Sequence, residues 1–304
     1  MLNVLVTGAT GFVGQHLIEY LKLDGYNIKA ISRKLIPGVD TVICDFLKDA
    51  IPENAFQGID VVFHLAGYTH DLKNASGVKQ TYQKMNVDVT DELLSLSVKY
   101  SVKKFIFVSS VKAGGSPIRG KCAAEEDQSD PVGMYGETKR EAELKVLEIG
   151  RKSDMHVSIL RPALIYGPNV KGNLQLMMQG IKKGWFPPLP ETGNRRSMVH
   201  VDDVVQALLL LASDQRSNGE IFIVTDGRTY SSRYIFEIMS STLGKRIPRW
   251  TVPQFLFNVV ALINPHLRYR IDKLLGDECY SSKKIQSIGF KAKKTLKDMH
   301  ETDF

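Results

Sequence analysis

A short apolar strand that breaks into evenly spaced glycines constrains this chain more than any other part of its sequence. Leu2-Asn3-Val4-Leu5-Val6 reads as a buried strand and runs directly into Thr7-Gly8-Ala9-Thr10-Gly11-Phe12-Val13-Gly14. Phe12, Val13, Leu17, Ile18 and Leu21 then recur at helical spacing, so a helix opens inside the glycine run. Glycines placed in this way allow a tight turn, let backbone N–H groups approach a diphosphate, and let the helix pack closely on the strand. The anion then rests on the positive end of the helix.

Short apolar runs alternate with helical patterns along the rest of the chain, the signature of an α/β fold with a doubly wound parallel sheet. Strands are expected at residues 2–7, 27–32, 41–44, 60–64, 104–109, 157–161 and 220–224. No repeat or low-complexity segment interrupts them. After Gly167-Pro168 the composition changes, with Gly172, Gly180, Gly184 and Pro187-Pro188-Leu189-Pro190 marking loops between short helices. The expected division is a nucleotide-binding domain of 1–166 plus 200–225, and a smaller α/β substrate domain of 167–199 plus 226–304.

Tyr135 lies four residues before Lys139 in Met134-Tyr135-Gly136-Glu137-Thr138-Lys139, and Ser110 closes the strand-like Phe105-Ile106-Phe107-Val108-Ser109-Ser110. A phenol is a poor acid or base at neutral pH unless a nearby cation favours its ionised form. On a helix the two side chains share a face, so the ammonium can serve the phenol. A serine hydroxyl from the sheet can orient the substrate oxygen between them.

The Gly-x-x-Gly-x-x-Gly spacing and the motifs that follow it resemble the extended short-chain dehydrogenase/reductases, the NAD-dependent epimerase/dehydratase family. His64-Leu65-Ala66-Gly67, Asn86-Val87-Asp88-Val89-Thr90 (which reads as opening a helix), Arg161-Pro162-Ala163-Leu164-Ile165-Tyr166-Gly167-Pro168 and Arg196-Ser197-Met198-Val199-His200-Val201-Asp202-Asp203-Val204 occur in the family's order over nearly the whole chain. The resemblance implies a Rossmann-type domain in which Tyr135, Lys139 and Ser110 are catalytic. It implies cofactor contacts from Gly8, Thr10, Gly11, Phe12, Val13, Gly14, Leu65, Ala66, Gly67, Asn86, Tyr135, Lys139 and Pro162. Asp45, in Cys44-Asp45-Phe46, matches the family's acid beneath the adenine amino group, and otherwise reads as a helix cap. Where NAD-binding versions carry an acid that accepts from the ribose hydroxyls, this chain has Ser32-Arg33-Lys34. Arg33 can offer a forked contact to a 2′-phosphate and Ser32 a hydroxyl, so NADP(H) is expected in preference to NAD(H).

For the substrate, the resemblance implies a UDP-sugar held by Ser110, Lys112, Asn173 and Arg196, with Arg270 or Arg268 as a further phosphate contact. Arg196 suits a diphosphate because its planar donors reach two oxygens at once. The wording around Ser110-Val111-Lys112 and Tyr166-Gly167-Pro168-Asn169 is similar to bacterial 4-reductases of UDP-4-keto-6-deoxy-N-acetylhexosamines, enzymes of surface-polysaccharide synthesis. Lys112 and Gly114 depart from the wording of the related UDP-sugar 4-epimerases, which remain the alternative. A non-catalytic NADP-binding protein is a third reading.

A net charge of +7 invites a nucleic-acid partner, but the basic residues are dispersed and no reading motif accompanies them, so none is expected. The lysines at 283, 284, 291, 293, 294 and 297 read as a solvated surface, or as an attraction for anionic nucleotide sugars or a membrane face. The apolar run 253–263 is far shorter than the roughly 20 residues that span a bilayer. It is expected as a buried helix of the small domain, with peripheral membrane contact as the other outcome. Cys44, Cys122 and Cys279 lie far apart, form no metal-ligand pattern, and are expected as free thiols of a reducing compartment. With the glycine loop so near the start, no signal peptide is expected and the location is cytoplasmic. A homodimer through the helix carrying Tyr135 is implied by the family, against which Glu141, Glu143 and Lys145 make that face charged.

Overall fold

Side chains of a strand alternate between faces, so a strand buried on both sides must be apolar at every position. In the computed structural model, which describes residues 2–69, 76–118 and 120–300, the runs with this character become a sheet. The strands are β1 (Asn3–Thr7), β2 (Asn27–Ser32), β3 (Asp40–Ile43), β4 (Val61–His64), β5 (Lys104–Val108), β6 (His156–Pro162), β7 (Leu164–Tyr166), β8 (Arg196–His200), β9 (Glu220–Val224) and β10 (Thr229–Tyr230). The helices are α1 (Phe12–Leu23), α2 (Ser76–Gln83), α3 (Val89–Lys99), α4 (Gly133–Lys152), α5 (Asn173–Lys183), α6 (Val201–Ser213), α7 (Ser232–Thr242), α8 (Gln254–Ile263), α9 (Pro265–Leu275) and α10 (Lys283–Ser287).

The main sheet runs β3-β2-β1-β4-β5-β6-β9 and all its pairs are parallel. Val4 and Val6 of β1 and Ile106 of β5 face a layer containing Leu17 and Ile18 of α1 and Val204 and Leu208 of α6. Leu5, Phe105 and Phe107 face the opposite layer, with Leu93 and Leu94 of α3 and Ala142 and Val146 of α4. Chain order reverses between β1 and β4, the place where such sheets open a crevice at their carboxyl edge. This is the Rossmann-type sheet with helices on both faces.

A second sheet, β10-β8-β7, is mixed: β8 pairs parallel to β7 and antiparallel to β10. It borders a separate core in which Leu174, Met177 and Ile181 of α5 meet Ile235, Phe236 and Met239 of α7. Asp203 of α6 anchors the later chain by accepting from the backbone N–H groups of Lys293 (2.9 Å) and Lys294 (3.0 Å). The lysine-rich end is partly neutralised, Lys284 pairing with Glu220 and Lys294 with Asp202, each at 2.7 Å.

The structure corrects the sequence reading at several places. Cys122 and Cys279 are joined by a disulfide across 157 residues of sequence, their Cα atoms 4.4 Å apart, and only Cys44 is a free thiol. The chain pairing Ala123 with Tyr280 brings them together, which sequence separation hides. The apolar run at 253–263 is not buried: α8 has no buried residue. Asn86 does not open a helix. It sits in a π-helical turn, Lys84–Asp88, that continues α2 into α3. Glu143 is not part of a charged outer face but is 1 % exposed against Arg161. No helix among the described residues is long and apolar enough to cross a membrane.

Candidate active site

The loop after β1 requires glycine for two separate reasons. Gly8 has φ +72°, and a Cβ there would stand 2.6 Å from the Ala66 nitrogen of the loop after β4. Gly14 lets α1 approach β1 so closely that a Cβ would meet the Gly8 carbonyl and lie 2.8 Å from Ala9 Cα. Gly11 precedes α1 without a side-chain cap, and the first turn carries no acid. The Gly11 N–H is taken by the Gly8 carbonyl at 2.9 Å, which closes the turn, so an anion approaching Thr10, Gly11, Phe12 and Val13 meets the N–H groups that follow Gly11 at the start of α1.

The other expected cofactor contacts follow at the carboxyl ends of neighbouring strands. Ser32 ends β2, its hydroxyl accepting from the Lys34 N–H at 3.3 Å, and Arg33 beside it is exposed. Asp45 follows β3 and turns onto its own loop, accepting from the Leu47 N–H at 3.2 Å, while Phe46 is buried. Leu65, Ala66 and Gly67 follow β4, and Pro162 ends β6.

Lys139 is the best-defined member of the catalytic trio. It is 3 % exposed, donates to the Val108 carbonyl at 2.9 Å, and lies 4.5 Å from the centre of the Phe107 ring. Burial pushes its ammonium down to about 8, with Glu143 pulling the other way. A Cβ on Gly67 would be 3.1 Å from Asn86 Oδ1 and 3.2 Å from Lys139 Nζ, so the missing side chain leaves one small space faced by both.

Asn86 is clamped there. Its Oδ1 accepts from the Tyr68 N–H at 2.7 Å, and its Nδ2 donates to the Tyr68 carbonyl at 3.2 Å and to Thr138 Oγ1 at 3.0 Å. The π-helical turn supplies the extra residue that turns this amide inward, a device found often at functional sites. Thr138, next to Lys139, thus ties α4 to that turn.

Tyr135 lies one turn before Lys139 on α4 and is half-buried. Ser110 follows β5 and starts the short 3-10 helix Val111–Gly114, its hydroxyl accepting from the Lys112 N–H at 3.2 Å. That helix is held to α4 by one backbone bond, the Val132 N–H donating to the Lys112 carbonyl at 3.0 Å, and by one side-chain bond, Arg140 Nε donating to the Ala113 carbonyl at 2.6 Å.

The expected substrate residues are more scattered. Asn173 begins α5 and is exposed. Lys112 forms an ion pair with Glu278, and Arg196 donates to the Lys273 carbonyl. Both side chains therefore meet the segment that ends at the disulfide. Arg268 is exposed on α9, 3.9 Å from Asp272, and Arg270 falls within the span of α9 with its side chain outside the described residues.

Residues to which the motifs assigned no role complete the site. His64 is fully buried, with Nδ1 2.6 Å from Thr7 Oγ1 and Nε2 2.9 Å from Thr90 Oγ1, joining β1, β4 and α3. Burial, and then the charge of Lys139, hold its ring well below the ordinary imidazole value, so it stays neutral. Arg161 donates from Nε to Glu143 Oε1 at 2.7 Å and pairs also through Nη2, fixing α4 to β6. Only the His64 and Arg161 motifs signalled these positions. The partners Thr7, Thr90 and Glu143 emerge from the fold.

Comparison with known proteins agrees with this fold. The model of the family described as NAD dependent epimerase/dehydratase matches residues 4–225. A UDP-glucose 4-epimerase of Vibrio cholerae is 31% identical over 260 residues, covering 83% of this chain and 78% of that protein. The N-acetyl-alpha-D-glucosaminyl-diphospho-ditrans,octacis-undecaprenol 4-epimerase of Escherichia coli O157:H7 is 27% identical over 311 residues, covering 97% and 92%. Among solved structures, UDP-glucose 4-epimerase from Thermotoga maritima superposes with a TM-score of 0.81 at 23% identity, covering 99% of this chain and 97% of that one, a likeness of fold.

Proposed function

The chain belongs to the NAD dependent epimerase/dehydratase family and is a nucleotide-sugar enzyme, and from that premise we propose that it reduces the C4 ketone of a UDP-4-keto-6-deoxy-N-acetylhexosamine with NADPH. The observation that carries this reading is the meeting of Lys139, Asn86 and Gly67 at the carboxyl ends of β4 and β5. Tyr135 stands one helical turn away, and Ser110 lies on the segment that α4 abuts.

The residues present fit a dinucleotide. Gly8 and Gly14 leave backbone where side chains would stand, and the first turn of α1 offers its N–H groups to a diphosphate without a competing cap or acid. Ser32 and Arg33 at the end of β2 suit a 2′-phosphate better than a bare ribose. When bound, the nicotinamide supplies hydride chemistry at the sugar carbon.

The chain's own groups manage the oxygen. Tyr135 gives its proton to the C4 carbonyl oxygen, and the Ser110 hydroxyl donates to the same oxygen, stabilising the negative charge that develops there. Lys139 holds a positive charge beside the phenol, which favours the ionised form that remains after transfer. Val108 and Phe107 keep that ammonium in place. Asn173 and Arg196, in a substrate domain of 167–199 plus 226–304, are assigned to the UDP moiety. A place in surface-polysaccharide synthesis and a homodimer through α4 belong to the same reading, as does a cytoplasmic location, against which the Cys122–Cys279 disulfide stands.

A second reading is favoured by the relatives, of which two are named as 4-epimerases. Here the same trio would oxidise and re-reduce one carbon on a retained NAD. The deciding experiment is to identify the nucleotide held by the purified protein, then to incubate it with UDP-4-keto-6-deoxy sugars and each reduced cofactor and determine C4 stereochemistry in the product. Stoichiometric NADPH consumption, lost in Tyr135→Phe, supports reduction. Tightly held NAD with interconversion of UDP-hexoses would replace it with epimerisation.

A further inference from the structure

The helix α8 turns an apolar stripe toward solvent. Phe255, Val259, Leu262 and Ile263 are 62%, 45%, 79% and 78% exposed, and their spacing places them along one side of a helix. The ten residues of α8 include no charge. On its other side Phe257 packs against the small core, while Leu256 and Val260, themselves 43% and 42% exposed, line an open apolar groove with Ile271 and Leu274 of α9. The outer stripe is therefore surplus to folding.

Two further large apolar side chains are exposed on segments beside α8. Trp185 is 61% exposed and Trp250 64%. Their segments run together, the Val252 N–H donating to the Pro188 carbonyl at 3.0 Å, and Pro187 and Val252 line the groove beside α8. Tryptophan is suited to the boundary between water and lipid because its ring is apolar and its N–H remains able to donate.

The charge on the segments that carry the stripe and the two tryptophans is positive, and the acids on the adjoining helices, Asp272 of α9 and Glu237 of α7, are matched by Arg268 and Arg233. Exposed Lys182 and Lys183 precede Trp185, and exposed Lys245, Arg246 and Arg249 precede Trp250. The sequence has no acidic residue between Asp154 and Glu191, and none between Glu237 and Asp272. A two-fold contact between copies would set the same patch against itself, bringing these cations together. An anionic lipid face complements them and accepts the apolar stripe at once.

We propose that α8, with Trp185 and Trp250, docks this protein on an anionic bilayer, the helix lying in the interface plane with Phe255, Val259, Leu262 and Ile263 among the lipid chains. At about 1.5 Å per residue, α8 is too short to span. The surface holds the enzyme at the membrane and leaves the carboxyl edge of the main sheet to its own chemistry.

The test is co-sedimentation of the intact protein with vesicles of phosphatidylcholine, alone or mixed with phosphatidylglycerol. Binding to the mixed vesicles should exceed binding to phosphatidylcholine at least about tenfold and weaken as salt is raised. Leu262→Asp with Ile263→Asp should lose at least about tenfold in binding with an unchanged unfolding midpoint. Lys182→Glu with Lys183→Glu, which alters exposed charges alone, should weaken it similarly. Absence of binding to the mixed vesicles overturns the proposal, as does full binding by the Asp variant. A wild-type dimer in light scattering that the Asp variant splits to monomer also overturns it and assigns the stripe to a second copy.

Discussion

Gly136 lies so close to Lys112 that a Cβ added to it would stand 2.5 Å from the Lys112 carbonyl oxygen. Helix α4 thus crosses the segment after β5 backbone against backbone, with Tyr135 on the residue before the crossing and Ser110 two residues before Lys112. The relative position of the phenol and the serine is set by a missing side chain.

Gly136→Ala should therefore damage the site more than its size suggests. Gly136 lies within α4 without a positive φ, so the cost is one of space alone. Forcing a methyl against backbone should destabilise the protein by about 1–3 kcal/mol and lower turnover more than cofactor affinity. Urea unfolding and steady-state kinetics on the same preparation check both. A variant with wild-type kcat would show that the crossing does not position Tyr135.

Glu143→Gln should be among the more damaging polar substitutions. Both side chains of the Glu143–Arg161 pair are 1 % exposed, and Arg161 Nη1 has no hydrogen-bond partner among the described residues. Removing the carboxylate charge leaves a buried guanidinium uncompensated, a loss of about 3–5 kcal/mol. Replacing both, as Glu143→Leu with Arg161→Met, should cost clearly less. Equal losses in single and double variants, measured by chemical unfolding, would contradict this account.

The main sheet was legible because each buried strand is a short apolar run bounded by breakers. The expected strands at 27–32 and 220–224 are the observed β2 and β9, and the others differ by one residue at one or both ends. The glycine loop was legible because its needs are local. What stayed hidden depends on partners distant in sequence. Nothing around Asn86 announces a π-helical turn, since the amide is drawn inward by Tyr68 and Thr138. Cys122 and Cys279 look unrelated until the chain pairs Ala123 with Tyr280. Hydropathy marked α8 as apolar but could not say that its outer side is left uncovered.

The cysteines give a direct count. Under denaturing conditions without reductant, one thiol per chain should react with iodoacetamide, and after reduction three should. Cys44 should resist labelling in the native protein, because burial pushes its thiol up to about 11, with Asp49 and Asp45 adding to the shift. Three labels without reductant, read by intact mass, would restore the free thiols expected from spacing.

Lys139 should leave a mark on the pH dependence of stability. Its ammonium titrates near 8 when folded and at about 10.4 when unfolded. Between these values the unfolded chain binds more protons than the native one, so the lysine's contribution to stability rises with pH across that window and is flat below it. Lys139→Met should remove this rise while abolishing turnover. Unfolding free energies at pH 7 and 10 for both proteins provide the comparison, and parallel slopes would show that Lys139 titrates normally.

Arg33 offers the sharpest separation between the two cofactors. It follows β2 and is exposed, beside a serine whose hydroxyl accepts from the Lys34 N–H. A forked contact from arginine to a 2′-phosphate is a charge-assisted hydrogen bond, worth about 1.5–3 kcal/mol, or roughly 10- to 100-fold in affinity. Arg33→Asp removes that contact, repels the phosphate, and supplies an acceptor for ribose hydroxyls. The variant should bind NADPH at least about tenfold more weakly and NADH equally well or better, which fluorescence titration of each cofactor measures. If both nucleotides weaken by the same factor, Arg33 acts only through the general field of a basic surface. If neither changes, it is an exposed charge at a strand end, and the preference for NADPH must come from elsewhere in the crevice.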